Sequence, residues 1–275
     1  LSVNTLGTID LQGFDETVGG LISSGSINGT GTLTAATYEF MGGTVNANLG
    51  AGVVIQSSVS TLLNGTSTAA TVNVNGGSLM LGMNERLADT AALTISAGGT
   101  LNLAALNDTI GSATIGGALE GTGTLTAANY SLTGGVVNAN LGLGVLAQNS
   151  GSSVLNGTSG AGSVQINGGT LTLGSSERLA DTASLLVGNG ATLTLNGGES
   201  VGFANLSGTL GGTGTLTAVN YQLNGATVNA DMGSGNLFQI GGISILNGTS
   251  AASFIGVNGG NLTLGANERL DNGAT

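Results

Sequence analysis

The chain has 275 residues, 53 of them glycine, and no proline, cysteine, histidine or tryptophan. Three basic residues, all arginine, against 14 acidic ones give a net charge of −11, with only 6% of residues charged. That inventory excludes a thiolate nucleophile, an imidazole base, a Cys/His zinc site, a disulfide and a phosphate-binding basic surface.

Taken in chain order, the predicted elements are short strands, each centred on an aliphatic residue. The centres are Ile9, Leu33, Val54 and Leu79, then Leu101, Leu125, Leu146 and Leu171, then Leu193, Leu216, Leu237 and Leu262. Their immediate neighbours are mostly Thr, Ser or Asn, the period-two alternation of a strand with one face inward. Successive centres lie about 21 to 25 residues apart, a period in the range of solenoid repeats, and the order of the gaps recurs. Longer strings repeat as well. GTGTLTAATY ends at Tyr38, GTGTLTAANY at Tyr130 and GTGTLTAVNY at Tyr221. LNGTS begins at Leu63, Leu155 and Leu246, ERLAD begins at Glu85 and Glu177, and ERLD begins at Glu268. Each string thus recurs first 92 and then 91 residues on, so the chain is three tandem repeats, approximately 1–92, 93–184 and 185–275.

This pattern predicts an all-β fold, a parallel β-helix running without a domain break through residues 1–275. About twelve coils, each of about 21–25 residues, are expected, four per long repeat. Crossover connections make it right-handed. At ~4.8 Å per strand spacing, twelve coils give a rod on the order of 55 Å. Glycine and asparagine in NGG, NGT and AGG supply the corners, and absent proline leaves every coil able to donate to its neighbour. Hairpins of a sandwich would place strands about every 8 to 12 residues and leave the ordered gaps unexplained. Leu79, Leu101, Leu125, Leu171 and Leu193 are expected to form one inward column. No apolar run approaches the roughly 18 to 20 residues of a membrane helix, and no signal peptide is visible. The chain opens and closes inside its own pattern, as expected of a segment cut from something longer.

GTGTLTAANY, VNANLG, SVLNGTS, VQINGGTLTLGSSERLADTASLLV and GATLTLNGGE together carry a resemblance that spans the chain. They resemble the repetitive shafts of large secreted Gram-negative adhesins, the filamentous-haemagglutinin-like and biofilm-matrix exoproteins, with autotransporter passengers as cousins. The resemblance implies an extracellular β-helical stalk exported through an outer-membrane partner. That family's amino-terminal secretion domain is not recognisable here. The function expected is a non-catalytic rod giving reach and stiffness for attachment at the cell surface. Expected partners are neighbouring repeats of the same chain, and matrix polysaccharide or cell surfaces through regions outside this segment. Neither nucleic acid nor membrane insertion is expected. The alternative is a self-assembling module of an extracellular filament or layer, with an ice-binding β-helix as a weaker one.

Few residues stand out as candidate sites, and no catalytic, cofactor or metal site is expected. Arg86, Arg178 and Arg269 occupy one place in each repeat, after Glu85, Glu177 and Glu268, with Asp89 and Asp181 three residues further on in the first two. Arg86 lies seven residues after Leu79, as Asp108 does after Leu101. Arg178 and Glu199 hold similar offsets from Leu171 and Leu193. Stacking therefore predicts the cross-coil ion pairs Arg86–Asp108 and Arg178–Glu199. Asp15, Glu16, Asp108 and Glu199 fall in equivalent coils. Four coils, ~19 Å, would separate them, beyond the ~5 to 9.5 Å of glycosidase pairs. The GGxGxD calcium motif is absent, which leaves Asp15-Glu16 and Glu85/Asp89 as weak calcium candidates. Thr-x-Thr pairs such as Thr170/Thr172 and Thr192/Thr194 are interrupted by Val53/Ile55, Met80 and Phe238, so no ice-like lattice is expected. The asparagines Asn64, Asn156 and Asn247 read as stacked turn residues, and Tyr38, Tyr130 and Tyr221 as corner packing.

Overall fold

In the computed structural model, which describes residues 1–275, the chain forms 35 strands and no helix. Neighbouring strands pair in parallel, as between Thr71–Val74 and Ala92–Ile95. The fold is a parallel β-solenoid. One coil shows its construction. Ser26–Asn28, Thr32–Ala35 and Thr37–Phe40 follow one another on three sides, and Gly43–Val45 begins the next coil on the first side. Buried and outward residues alternate along each strand, as in Thr170–Leu173 and Thr192–Leu195, where both leucines of TLTL point in and both threonines point out. Stacked aliphatics make the core, and β-branched threonine suits the half-exposed outer face.

Two compact units divide the chain. The first comprises Leu1–Tyr130 and Gly135–Gly142, the second Ser131–Gly134 and Leu143–Thr275. On the first side, the first unit stacks eight strands from Thr8–Asp10 to Val136–Val137, and the second stacks seven from Ser152–Leu155 to Asn261–Leu264. The coils therefore number about fifteen rather than twelve, five per long repeat rather than four. In the ordinary coil Ile9 faces Ile27, Ile27 faces Val45, and Thr61 faces Leu79. That step is 18 residues, the same that separates Asn28 from Asn46 and Asn46 from Asn64. One coil per repeat is longer. Leu79 faces Leu101 and Leu171 faces Leu193, a step of 22 residues that also separates Arg86 from Asp108.

The strand centres read from the sequence do not mark one side of the coil. Ile9 and Leu79 lie on the first side, Leu33 on the second and Val54 on the third. The gap between two such centres is usually more than a full turn, so counting it as one coil loses a coil in every repeat. The expected leucine column changes for the same reason. Leu79 faces Leu101, which faces Leu119, and Leu171 faces Leu193, which faces Leu210. Leu125 belongs to a different column on the second side, facing Leu141. All five leucines are fully buried.

The corner between the second and third sides is fixed by a tyrosine once per repeat. The Tyr38 hydroxyl accepts from Ala35 N–H at 2.9 Å and donates to the Leu33 carbonyl at 2.9 Å. Tyr221 repeats this with Ala218 and Leu216. Burial pushes the Tyr221 phenol up to about 12. No helix is long and apolar enough to cross a membrane.

Candidate functional site

The most polar constellation is the ERLAD corner, built by the long coil of each repeat. Between Gly77–Leu81 and Ala92–Ile95 the second side carries no strand, so the main chain there must find its partners individually. Glu85 and Glu177 both sit at φ 52°, the left-handed region that costs a residue with a Cβ about 1–2 kcal/mol. The turn exposes the N–H groups of the next two residues to the following coil. There a carboxylate accepts them. Asp108 Oδ2 lies 2.7 Å from Arg86 N and 3.2 Å from Leu87 N. Glu199 Oε2 and Oε1 each lie 2.8 Å from Arg178 N and Leu179 N respectively.

These carboxylates stand in an otherwise mostly aliphatic column; Glu199 faces Leu216, which faces Met232. Each is only 1% exposed. Burial pushes both up to about 7, although the two N–H donors and the nearby arginine pull down, and Glu85 or Glu177 adds to the rise. The second oxygen of Asp108 is buried without a partner.

The predicted ion pairs Arg86–Asp108 and Arg178–Glu199 are replaced by another arrangement. The right residues meet across the coil step, but through main-chain N–H groups. The guanidinium turns the opposite way. Arg86 Nε donates to Asn84 O at 2.9 Å, and its terminal nitrogen donates to Asn64 O, one coil earlier, at 2.8 Å. Arg178 and Arg269 do the same to Asn156 O and Asn247 O, at 2.6 and 2.8 Å. A buried carboxylate is best served by donors already fixed in place, while a long cation keeps part of its surface in water by folding back. The corner thus holds the coil before it with a side chain and the coil after it with its backbone. Glu85 adds a second forward contact, accepting from Thr109 N at 3.1 Å.

The other candidates are dispersed. Asp15 Oδ1 accepts from Thr32 N at 2.7 Å, a cap that Asn107 repeats on Thr124 N at 2.9 Å. Glu16 and Asp108 are five coils apart, ~24 Å rather than the expected ~19 Å, and too far to act on one bond. No three His, Cys, Asp or Glu side chains group as a metal cage. Asn64 continues a ladder of side-chain amides, donating to Asn46 Oδ1 at 2.7 Å, as Asn46 donates to Asn28 Oδ1 at 2.8 Å. Asn247 donates likewise to Asn229 at 2.7 Å. This ladder keeps the ordinary coil step, a signal in the sequence that the TLTL runs obscure. Gln56, Gln148 and Gln239 are missed in the sequence although they recur at the repeat interval; fully buried, each donates at 2.6 Å to a carbonyl two residues on. No protein-family model, curated protein or solved structure matches the chain.

Proposed function

We propose that the chain is a structural segment of a secreted bacterial surface or biofilm-matrix adhesin, non-catalytic, whose work is to carry distance and load between an anchor and a binding tip. One observation supports this above the rest. The conspicuous polar groups of the repeat (the ERLAD arginines, the buried carboxylates and the stacked asparagines) are spent on bonds between successive coils. A catalytic site concentrates such groups at one place, whereas a load-bearing stack distributes them. The resemblance of GTGTLTAANY and its companion strings to adhesin shafts points the same way.

The test is deletion of the coding segment from the producing cell, followed by attachment under flow. Cells should still display the shortened protein but detach at lower shear, and attachment unchanged at all shear rates would overturn the proposal. Light scattering on the isolated segment addresses the alternative. A persistent monomer is expected, and concentration-dependent polymers would replace the stalk by a filament-forming module.

A further inference from the structure

In the third repeat, three residues that all lie in the second unit depart from their counterparts in the second repeat in a way that packing does not require. Ser112, Ala147 and Ser163 of the second repeat are replaced, one repeat later, by Phe203, Phe238 and Phe254. These are three of only five phenylalanines in the chain. All three lie on the same outer face, that of the third side. Phe203 faces Asn220, Asn220 faces Asn236 and Asn236 faces Phe254, while in the neighbouring outward column Asn205, Gln222, Phe238 and Gly256 follow one another. Phe254 is 42% exposed, and Phe203 and Phe238 are half-buried. The rings of Phe238 and Phe254 meet with centroids 5.6 Å apart. Gly256 makes room for them, since a Cβ there would lie 3.2 Å from one ring and 3.3 Å from the other.

We infer that this face binds a neutral polysaccharide, its sugars lying across the coils with their C–H faces on the phenylalanines and their hydroxyls on the intervening amides. The chemistry of the face selects that occupant. Phenylalanine offers a flat apolar surface and no polar atom, so it suits an apolar ring face. Between the rings lie Asn205, Gln222 and the pair Asn220 and Asn236, joined by a 3.0 Å bond from Asn236 Nδ2 to Asn220 Oδ1; their remaining amide donors and acceptors suit sugar hydroxyls, which are both. None of the eight outward positions is charged in a chain of net charge −11, which fits an uncharged polymer. A second copy docking here would bring together two chains each of net charge −11, whose repulsion disfavours the pairing. From Phe203 to Phe254 the face runs three coil steps, ~14 Å, longer than one sugar ring and open at the sides, as a polymer needs. The inference does not depend on the adhesin reading.

Affinity electrophoresis of the whole 275-residue chain tests it, with hydroxyethyl cellulose and dextran as neutral probes and alginate as an anionic one. The variant is the triple change Phe203→Ser, Phe238→Ala, Phe254→Ser, which restores residues the same fold already carries in the preceding repeat. At least one neutral probe should retard the chain, alginate should not, and the triple variant should bind about tenfold more weakly or worse with an unchanged melting temperature. Absence of retardation by both neutral probes, or equal retardation of the variant, would overturn the inference. So would self-association of the wild-type chain that the triple variant abolishes, which would make the face an interface between copies.

Discussion

Asp108 and Glu199 occupy core positions because the ERLAD corner leaves two N–H groups without strand partners, and an aliphatic side chain could not accept them. Their environment gives the molecule a definite response to acid. In the unfolded chain these carboxyls titrate near 4, whereas in the fold burial places both at about 7. Between those values the folded state binds more protons than the unfolded one, so this contribution is complete below pH ~4 and is lost as pH rises through 7. Each site changes stability by at most about 1.4 kcal/mol per pH unit over that window. The melting temperature should therefore rise from pH 8 to pH 5. In the double variant Asp108→Asn, Glu199→Gln, where the Asn oxygen still accepts both N–H groups and the Gln oxygen one of its two, the rise should be smaller. Equal pH slopes for the two proteins, measured by thermal denaturation, would show that these carboxyls are ionised normally. The sequence announces which residues meet here but not how. Charge signs suggest guanidinium against carboxylate, and nothing in the letters marks a backbone N–H left over by a missing strand.

At the scale of the element, two features set the cost of damage. The first is the stacked leucine. Leu193 faces Leu171 on one side and Leu210 on the other with no exposure, so Leu193→Ala should cost about 2–5 kcal/mol. Thr194, next to it, points outward, and Thr194→Ser should stay within about 0.5 kcal/mol. Urea unfolding of the two variants measures the difference, and similar losses would mean the strand faces are misassigned. The second is the tyrosine corner. Tyr221→Phe removes one oxygen and leaves the Ala218 N–H buried without its acceptor, while the Leu216 carbonyl keeps the Gly233 N–H, so about 1–3 kcal/mol should be lost. A variant as stable as the parent would show that the corner is set by packing alone. Strand alternation is legible in the sequence because TLTL reads the same on any side of a coil. For that same reason the side is not legible, and spacing alone groups Leu125 with leucines that it does not meet.

Across the whole chain, stability is carried between neighbours, and that makes the repeat length a physical quantity. Within each unit a coil contacts the coil before and after it, so a stack should tolerate loss of a complete repeat and resist loss of a fraction. Ala92 and Ser184 hold the same place, each opening a strand of the third side. Deleting residues 93–184 joins Ala92 to Leu185 with every coil step preserved and five coils removed. The shortened chain should remain soluble with a strand-rich circular dichroism spectrum. Its urea m-value should fall by about a third, in proportion to the surface no longer exposed on unfolding. Deleting residues 103–125 instead, the coil length that the TLTL spacing alone suggests, would join a strand of one side to a strand of another. Residue 102 would then be followed by residue 126, placing the end of Gly99–Asn102 inside Thr124–Leu132. That variant should aggregate or unfold at a lower temperature. If it proved the better tolerated of the two, the coil step that pairs Ile9 with Ile27 and Ile27 with Val45 would be wrong, and the stack would have to be rebuilt from its first strand.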